Sequence, residues 1–355
     1  SVITDQVSKL DNGKNNSANV QVGKGNTATT SQKNTPQNAQ DPTGYTNNSF
    51  SAQYGVKNDA TVDQTGGKND QGALQIGKNN VAGVVQSNSS VAGPSDQPVG
   101  GANTAFTTQI GNKNLAAVSQ TSADGTDAFG GFHQGHSNSS ASIQIGDRNE
   151  AGTEQTSVGG DAQGPRNTAA AVQVGKGNLE TTTQGGGVSG AFGATPAEQT
   201  ANYTNASFVG QFGTKNVAEV NQQNGANTQA LFQEGFKNAA TITQSTQTFG
   251  TDNGSNNALT VQRGAQNKAN VNQSMAVPLA LGNNNSLITQ IGGSNVVNAT
   301  QSVGQQASAG DNTQASIQVG YDNAIKLAQT TGANVANTSF TAQYGAHNVA
   351  VVSQK

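Results

Sequence analysis

The sequence predicts an all-β protein, a parallel β-solenoid whose rungs each consist of a strand, a tight turn and a second strand. The first observation is a frame, Asn-x5-Gln-x-Gly-x2-Asn-x5-Gln, that recurs twelve times without a substitution at its five fixed positions. The second is alternation with Val, Ile, Thr and Phe inside the frame, where no helical period competes. Since repeats of this kind bury surface only by stacking, we expect two facing parallel sheets with amyloid-like cross-β stacking.

The frame fills the chain, so residues 1–355 are predicted to form one solenoid rather than several domains. Residues 1–6 match the second strand of a repeat and are interpreted as a half repeat. The twelve repeat cores are 15–32, 47–64, 69–86, 103–120, 138–155, 167–184, 205–222, 227–244, 256–273, 284–301, 312–329 and 337–354.

Composition excludes several functional classes. Only 32% of the residues are apolar and 10% are charged, a polar composition that without the repeats would indicate disorder. The absence of Cys excludes disulfides, thiolate zinc sites and a Cys nucleophile. A net charge of −3 gives no global reason to expect nucleic acid binding. No apolar run is long enough to span a membrane, so membrane insertion is not expected.

The turn between the two strands of each repeat always has the form x-Gly-x-x. A glycine at a fixed turn position indicates a backbone conformation that a Cβ would penalise. The predicted turn glycines are Gly23, Gly55, Gly77, Gly111, Gly146, Gly175, Gly213, Gly235, Gly264, Gly292, Gly320 and Gly345.

The link from one repeat to the next varies in length and reaches twenty residues at 185–204. We therefore expect one uniform edge of tight turns and one edge that carries variable loops.

In the second strand, the residues two and four positions after Asn are mostly small or branched and apolar, as in Ala60 and Val62. Asn, these residues and Gln share one face, which is predicted to be the interior. Buried amides need hydrogen-bond partners, and identical amides in successive rungs can satisfy one another. The predicted amide ladder includes Asn15, Gln21, Asn26, Gln32, Asn47, Gln53, Asn58, Gln64, Asn205, Gln211, Asn216, Gln222, Asn337, Gln343, Asn348 and Gln354.

The first strand places its large apolar residues one and three positions before Gln, and one after it, on the face opposite the amides. Their sizes compensate, as in Phe50 with Ala52 and Gly72 with Leu74, which indicates a packed surface. Two interpretations remain open: the stripe faces outward and packs on another solenoid, or it forms the core and the first-strand amides face solvent. Its aromatic members are Phe50, Phe106, Phe208, Phe232 and Phe340.

The pattern Gln-x-Gly-x2-Asn-x-Ala-x3-Gln, seen at Gln21-Gly23-Asn26-Ala28-Gln32, closely resembles the curlin repeat of the curli major subunit and its relatives. The Ala position departs at Glu180, Val297 and Ile325, and most links are longer than those of the family. The resemblance implies a secreted functional amyloid on a bacterial surface or in biofilm matrix, with a nucleating minor subunit and outer-membrane export machinery as partners.

Eight successive tight turns carry a basic residue: Lys24, Lys57, Lys78, Lys113, Arg148, Lys176, Lys215 and Lys237. Such a line could bind extracellular polysaccharide or DNA, although solvated turn tips often carry Lys for solubility alone. His133 and His136 lie in a Gly-rich loop without a third ligand, so no metal site is predicted. No catalytic arrangement recurs, and neither an enzyme nor a cofactor is expected.

These observations bear on three possible functions. The sequence favours the subunit of an extracellular fibre that assembles head-to-tail, because its terminal rungs show no distinct capping sequence. The alternative is a monomeric β-solenoid adhesin that binds surfaces through its variable loops. A β-helical carbohydrate-active enzyme is disfavoured because no acidic or basic cluster lies on adjacent rungs.

Overall fold

The computed structural model describes residues 1–8, 13–34, 46–89, 101–123, 137–158, 166–187, 204–246, 254–275, 282–304, 310–332 and 335–355. The predicted histidine pair at 133 and 136 and most of the loop 185–204 lie outside these ranges. The described residues contain no helix, and hence none that could cross a membrane.

The described residues form twenty-five strands, two for each repeat and one for the initial half repeat. In chain order they are β1 Val2–Ser8, β2 Lys14–Lys24, β3 Thr27–Asn34, β4 Thr46–Val56, β5 Asp59–Thr65, β6 Asn69–Lys78, β7 Val81–Ser89, β8 Ala102–Asn112, β9 Leu115–Ala123, β10 Ser137–Asp147, β11 Glu150–Val158, β12 Arg166–Lys176, β13 Leu179–Gly187, β14 Thr204–Thr214, β15 Val217–Gln223, β16 Ala226–Phe236, β17 Ala239–Thr246, β18 Ser255–Ala265, β19 Lys268–Met275, β20 Asn283–Gly293, β21 Val296–Val303, β22 Asp311–Tyr321, β23 Ala324–Thr331, β24 Ala336–Ala346 and β25 Val349–Gln354.

The prediction of a parallel β-solenoid is confirmed. The odd-numbered strands belong to a sheet of 13 and the even-numbered strands to a sheet of 12. Neighbouring strands are parallel and align frame residue with frame residue, as in Asn47↔Asn69, Gln53↔Gln75 and Gly55↔Gly77. Long links leave this register unchanged, since β6 and β8 pair in the same way although a sixteen-residue link, 87–102, separates their repeats.

The chain divides into two compact units, described separately below. Unit 1 comprises Ser1–Ala171 and Gly185–Pro196, and unit 2 comprises Val172–Gln184 and Ala197–Lys355.

Unit 1 has a largely polar interior. Its odd-numbered strands contribute buried Ala and Val, such as Ala60 and Val62. Its even-numbered strands place Ala, as at Ala73, or small polar side chains beside the amides, including the buried Ser51, Thr107 and Ser142. Among the described residues of unit 1, a small apolar cluster contains Val84, Ala105 and Val118.

Unit 2 adds a continuous aliphatic core between its two sheets. Val209, Leu231 and Ile288 from the even-numbered strands pack with Ile242 and Ile325 from the odd-numbered strands, and all are buried. The same frame of amides therefore encloses an interior of either polar or aliphatic composition.

Candidate functional site

The most regular chemical feature of the molecule is the set of amide columns that the frame places between the sheets. Gln53, Gln64, Gln75 and Gln86 are fully buried, as are Asn47 and Asn69. The amides of both strands of each repeat thus face inward.

The Gln side chains form two columns, one in each sheet. In each column the Nε2 of one Gln donates to the Oε1 of the equivalent Gln in the next rung, as from Gln53 to Gln75 at 2.8 Å and from Gln64 to Gln86 at 2.8 Å. The pattern holds along unit 1 from Gln21 and along unit 2 to Gln343. Every such bond points in the same direction along the stack.

Gln side chains also connect the two sheets, because Nε2 has a second hydrogen. Gln53 donates to the backbone carbonyl of Thr27 at 2.8 Å, in the facing sheet. Gln64 donates in the same way to the carbonyl of Asn48 at 2.9 Å. One side chain therefore fixes both the rung spacing and the sheet separation, which explains the absence of substitution at this position.

The first-strand Asn residues form a third column, whose hydrogen bonds point the opposite way. Asn47 donates to Asn15 at 3.1 Å and Asn69 donates to Asn47 at 3.0 Å, each toward the preceding rung. A buried hydroxyl from the second strand reinforces this column in several rungs, as where Ser122 donates to Asn103 at 2.8 Å.

The second-strand Asn anchors the tight turn, and in several rungs it also stacks amide on amide, as where Asn295 donates to Asn267 at 3.1 Å. Asn58 donates from Nδ2 to the carbonyl of Tyr54 in its own turn and to the carbonyl of Gly77 in the next rung, both at 3.2 Å. Its backbone N–H donates to the Oδ1 of Asn26 at 3.0 Å. The two Asn positions, identical in the sequence frame, therefore have different structural roles.

The turn glycines meet two demands at once. All twelve have positive φ, between 100° and 127°. In addition, a Cβ at Gly55 would collide with the carbonyl oxygen of Gly77 in the next rung. The residue two positions later is also left-handed, although it is usually not glycine, as at Lys57 and Gln266.

The stripe of large apolar residues lies on the outer face of the even-numbered strands. Phe50 and Phe106 are each 48% exposed, whereas Gln53, three residues after Phe50 in β4, is fully buried. Phe208 and Phe232 lie in contact on this face with ring centroids 5.2 Å apart. Phe340 is also exposed. The first of the two interpretations, with amides inside and the stripe outside, is the observed one.

The eight basic residues lie in exposed turns but at two different positions. Lys57, Lys113, Arg148, Lys215 and Lys237 occupy the left-handed position, whereas Lys24, Lys78 and Lys176 precede it. Polyanion binding by this edge stays a prediction. The part of the chain that the structure describes contains no group of three or more metal-ligating His, Cys, Asp or Glu side chains.

A comparison with protein-family models finds no match for this chain. None of the curated proteins matches it in sequence either.

Proposed function

We propose that this protein is the structural subunit of a secreted, curli-like extracellular amyloid fibre that grows by head-to-tail stacking of solenoids. The fibre would contribute to biofilm matrix and surface attachment. The proposal draws on the resemblance of the repeats to curlin and on the hydrogen-bond columns of the interior.

The observation that carries it is the equivalence of successive rungs. Along the Gln columns every side chain offers a donor on one side and an acceptor on the other, at 2.6 to 2.9 Å. Paired strands align equivalent residues without a register shift, for example Gln211↔Gln233 and Gln262↔Gln290. A second copy placed in the same register would continue both the backbone ladders and the amide columns.

Because the Gln and first-strand Asn columns donate in opposite directions, the two ends of the stack are not equivalent. A rung presents Gln donors and Asn acceptors toward the following rung. A copy in the reverse orientation would place donor against donor in the Gln columns. Head-to-tail addition is therefore the mode that satisfies all columns together.

The test is assembly of the purified full chain after removal of denaturant, followed by fibre diffraction. We expect fibres that seed fresh subunit and give a meridional spacing near 4.8 Å. A Gln211→Leu variant should seed less well than the wild type, because it interrupts one buried Gln column. Stable monomers that neither grow nor seed would contradict the proposal and favour the adhesin alternative.

A further inference from the structure

The outer face of the even-numbered strands has the composition of an interface rather than of a solvated surface. In unit 1 the outward positions align in columns, so that Phe50, Gly72 and Phe106 follow one another. The column beside Gln contains Val22, Tyr54, Ile76, Ile110 and Ile145. We call the three outward columns, at three and one positions before Gln and one after it, the apolar stripe.

The apolar stripe carries almost no net charge. In unit 1 its three columns contain no charged residue. In unit 2 the two charged side chains are Glu234 and Arg263, which neighbour each other and form an ion pair with Nε 2.7 Å from Oε2. An apolar partner could therefore cover either part of the stripe without burying an unpaired charge.

Polar residues border the apolar stripe on both sides. On the loop side, Asn16, Asn48 and Asp70 form a hydrogen-bonded row. On the other side lie the basic turns at Lys24, Lys57 and their equivalents. An apolar centre with a polar rim is the usual anatomy of a protein interface.

The extent of the stripe is sufficient for association. Five strands about 4.8 Å apart, with three outward positions about 6.8 Å apart, cover roughly 500 Å² in unit 1. Pairing with an equal surface would remove about 1,000 Å² from water, near the lower limit for a specific interface. Monomeric proteins rarely expose contiguous apolar patches much larger than a few hundred Å².

The outer face of the odd-numbered strands differs. It carries Thr29, Thr61, Asp63 and Ser119, with apolar residues such as Val85 among them. Only one of the two outer faces is therefore suited to burial against an apolar partner.

We propose that the apolar stripe of a second copy of this chain covers this face, so that two solenoids lie side by side through their even-numbered sheets. A second copy is the fitting occupant because it presents the same rung spacing, allowing aromatic rows such as Phe50 and Phe106 to seat over small residues such as Gly72 on its partner. Since the outer face of the odd-numbered strands carries polar and charged residues, we expect the association to stop at two solenoids. The proposal rests on the proposed fibre function, and the readouts below separate the two.

The first experiment measures mass per unit length of wild-type fibres by scanning transmission electron microscopy. We expect twice the value for a single solenoid. A triple variant, Phe50→Thr, Phe106→Thr and Ile110→Thr, should halve this value while keeping the meridional spacing near 4.8 Å. The matched control, Val81→Thr, Val85→Thr and Leu115→Thr, makes similar changes on exposed positions of the odd-numbered sheet and should leave the value unchanged.

Wild-type fibres with the mass of one solenoid, or a triple variant that stays paired, would overturn the pairing. So would a control that separates as readily as the triple variant. Loss of the meridional spacing in wild-type material would instead refute the fibre function.

A second measurement does not depend on a triple variant that assembles. The chain contains no cysteine, so a single introduced thiol reports on one site. In fibres, an Ile110→Cys variant should react with a maleimide at least tenfold more slowly than a Ser119→Cys variant, whose side chain lies on the opposite outer face. Equal reaction rates would refute the buried stripe.

Discussion

In the rung formed by β4 and β5, the two sheets place their large apolar side chains on opposite faces. In the odd-numbered sheet, Ala60 and Val62 face inward while Thr61 and Asp63 face outward, as in an ordinary half-buried sheet. In the even-numbered sheet of the same rung, Ser49 and Ser51 face inward while Phe50 and Tyr54 face outward. The frame residues Asn and Gln face inward in both.

The difference shows that hydrogen-bonded columns, and not hydrophobic burial alone, determine which face of the even-numbered sheet is the interior. A hydrophobic pattern by itself would turn Phe50 inward and expose Gln53. The amides prevail because each Gln bonds both along the stack and across to the facing sheet. This arrangement leaves an apolar outer face available for a partner.

The largest predicted effect is that of interrupting an interior Gln column. Gln211 accepts from Gln173 at 2.8 Å and donates to Gln233 at 2.9 Å, so a Gln211→Leu change leaves both neighbours without this partner. At about 1–3 kcal/mol for each buried unsatisfied group, we expect the free energy of unfolding to fall by about 2–6 kcal/mol. Urea titration measures it.

The matched control is Lys215→Leu, four residues along in an exposed turn. It should change the free energy of unfolding by no more than about 0.5 kcal/mol. An equal loss in both variants would mean that the amides do not form a buried ladder.

The tight turn must hold the two strands of each rung in register. A Gly55→Ala change adds a Cβ at φ 122° that collides with the carbonyl of Gly77. We expect a loss of about 2–5 kcal/mol from left-handed strain and overpacking together. Thermal unfolding measures the loss.

The control for this change is Gly83→Ala on the outer face of β7, where a Cβ would have nothing within 4 Å. It should be neutral or stabilise by up to about 1 kcal/mol. If Gly55→Ala were as well tolerated as Gly83→Ala, close rung stacking at the turn would be refuted.

A buried carboxyl group, that of Glu180, lies in the mostly apolar interior of the odd-numbered sheet in unit 2. Glu180 is 1% exposed and occupies the position that is Ala in most repeats. Thr182 donates to its Oε1. Because burial of a carboxyl group is unfavourable, Glu180→Ala should raise the free energy of unfolding by about 1–3 kcal/mol.

Glu154→Ala, on the exposed outer face of β11, is the matched control and should have an effect within about 0.5 kcal/mol. A Glu180→Ala variant with a lower free energy of unfolding would contradict this prediction and show that the carboxyl group stabilises the fold.

The smallest predicted effect concerns the polar interior of the even-numbered sheet in unit 1. The buried Thr107 Oγ1 has no hydrogen-bond partner in the described structure. The nearly isosteric Thr107→Val change should therefore stabilise by about 1 kcal/mol, as seen by a higher melting temperature.

Thr246→Val should act in the opposite direction, because Thr246 Oγ1 donates to Asn227 at 3.0 Å and accepts from Asn256 at 2.9 Å. The same sign for both variants would show that hydrogen bonding does not govern these interior positions.

Much of this fold could be predicted from the sequence because the frame fixes register directly. The strands, the tight turns and the inward amides all follow from the spacing of Asn, Gln and Gly. The orientation of Phe50 could not be decided, since its size compensation with Ala52 fits either a core or an outer face.

Other features have no signal in the frame. The left-handed position two residues after the turn glycine accepts Lys, Arg, Gln, Ser, Asp or His, so sequence alone does not reveal it. The two Asn positions look alike, although the second-strand Asn also anchors the tight turn. The hydroxyl that supports the Asn column recurs two residues after the second-strand Gln, at Ser122, Ser157 and Thr246, a weak signal that could have been found.

A near-atomic cryo-microscopy map of fibres assembled from the full chain would test the buried amide columns most directly. We expect rungs about 4.8 Å apart in which the columns of Gln53 and Gln64 and their equivalents run inside each solenoid and continue across every subunit junction. A map with Phe50 and Phe106 in the interior and the Gln side chains on the surface would contradict it.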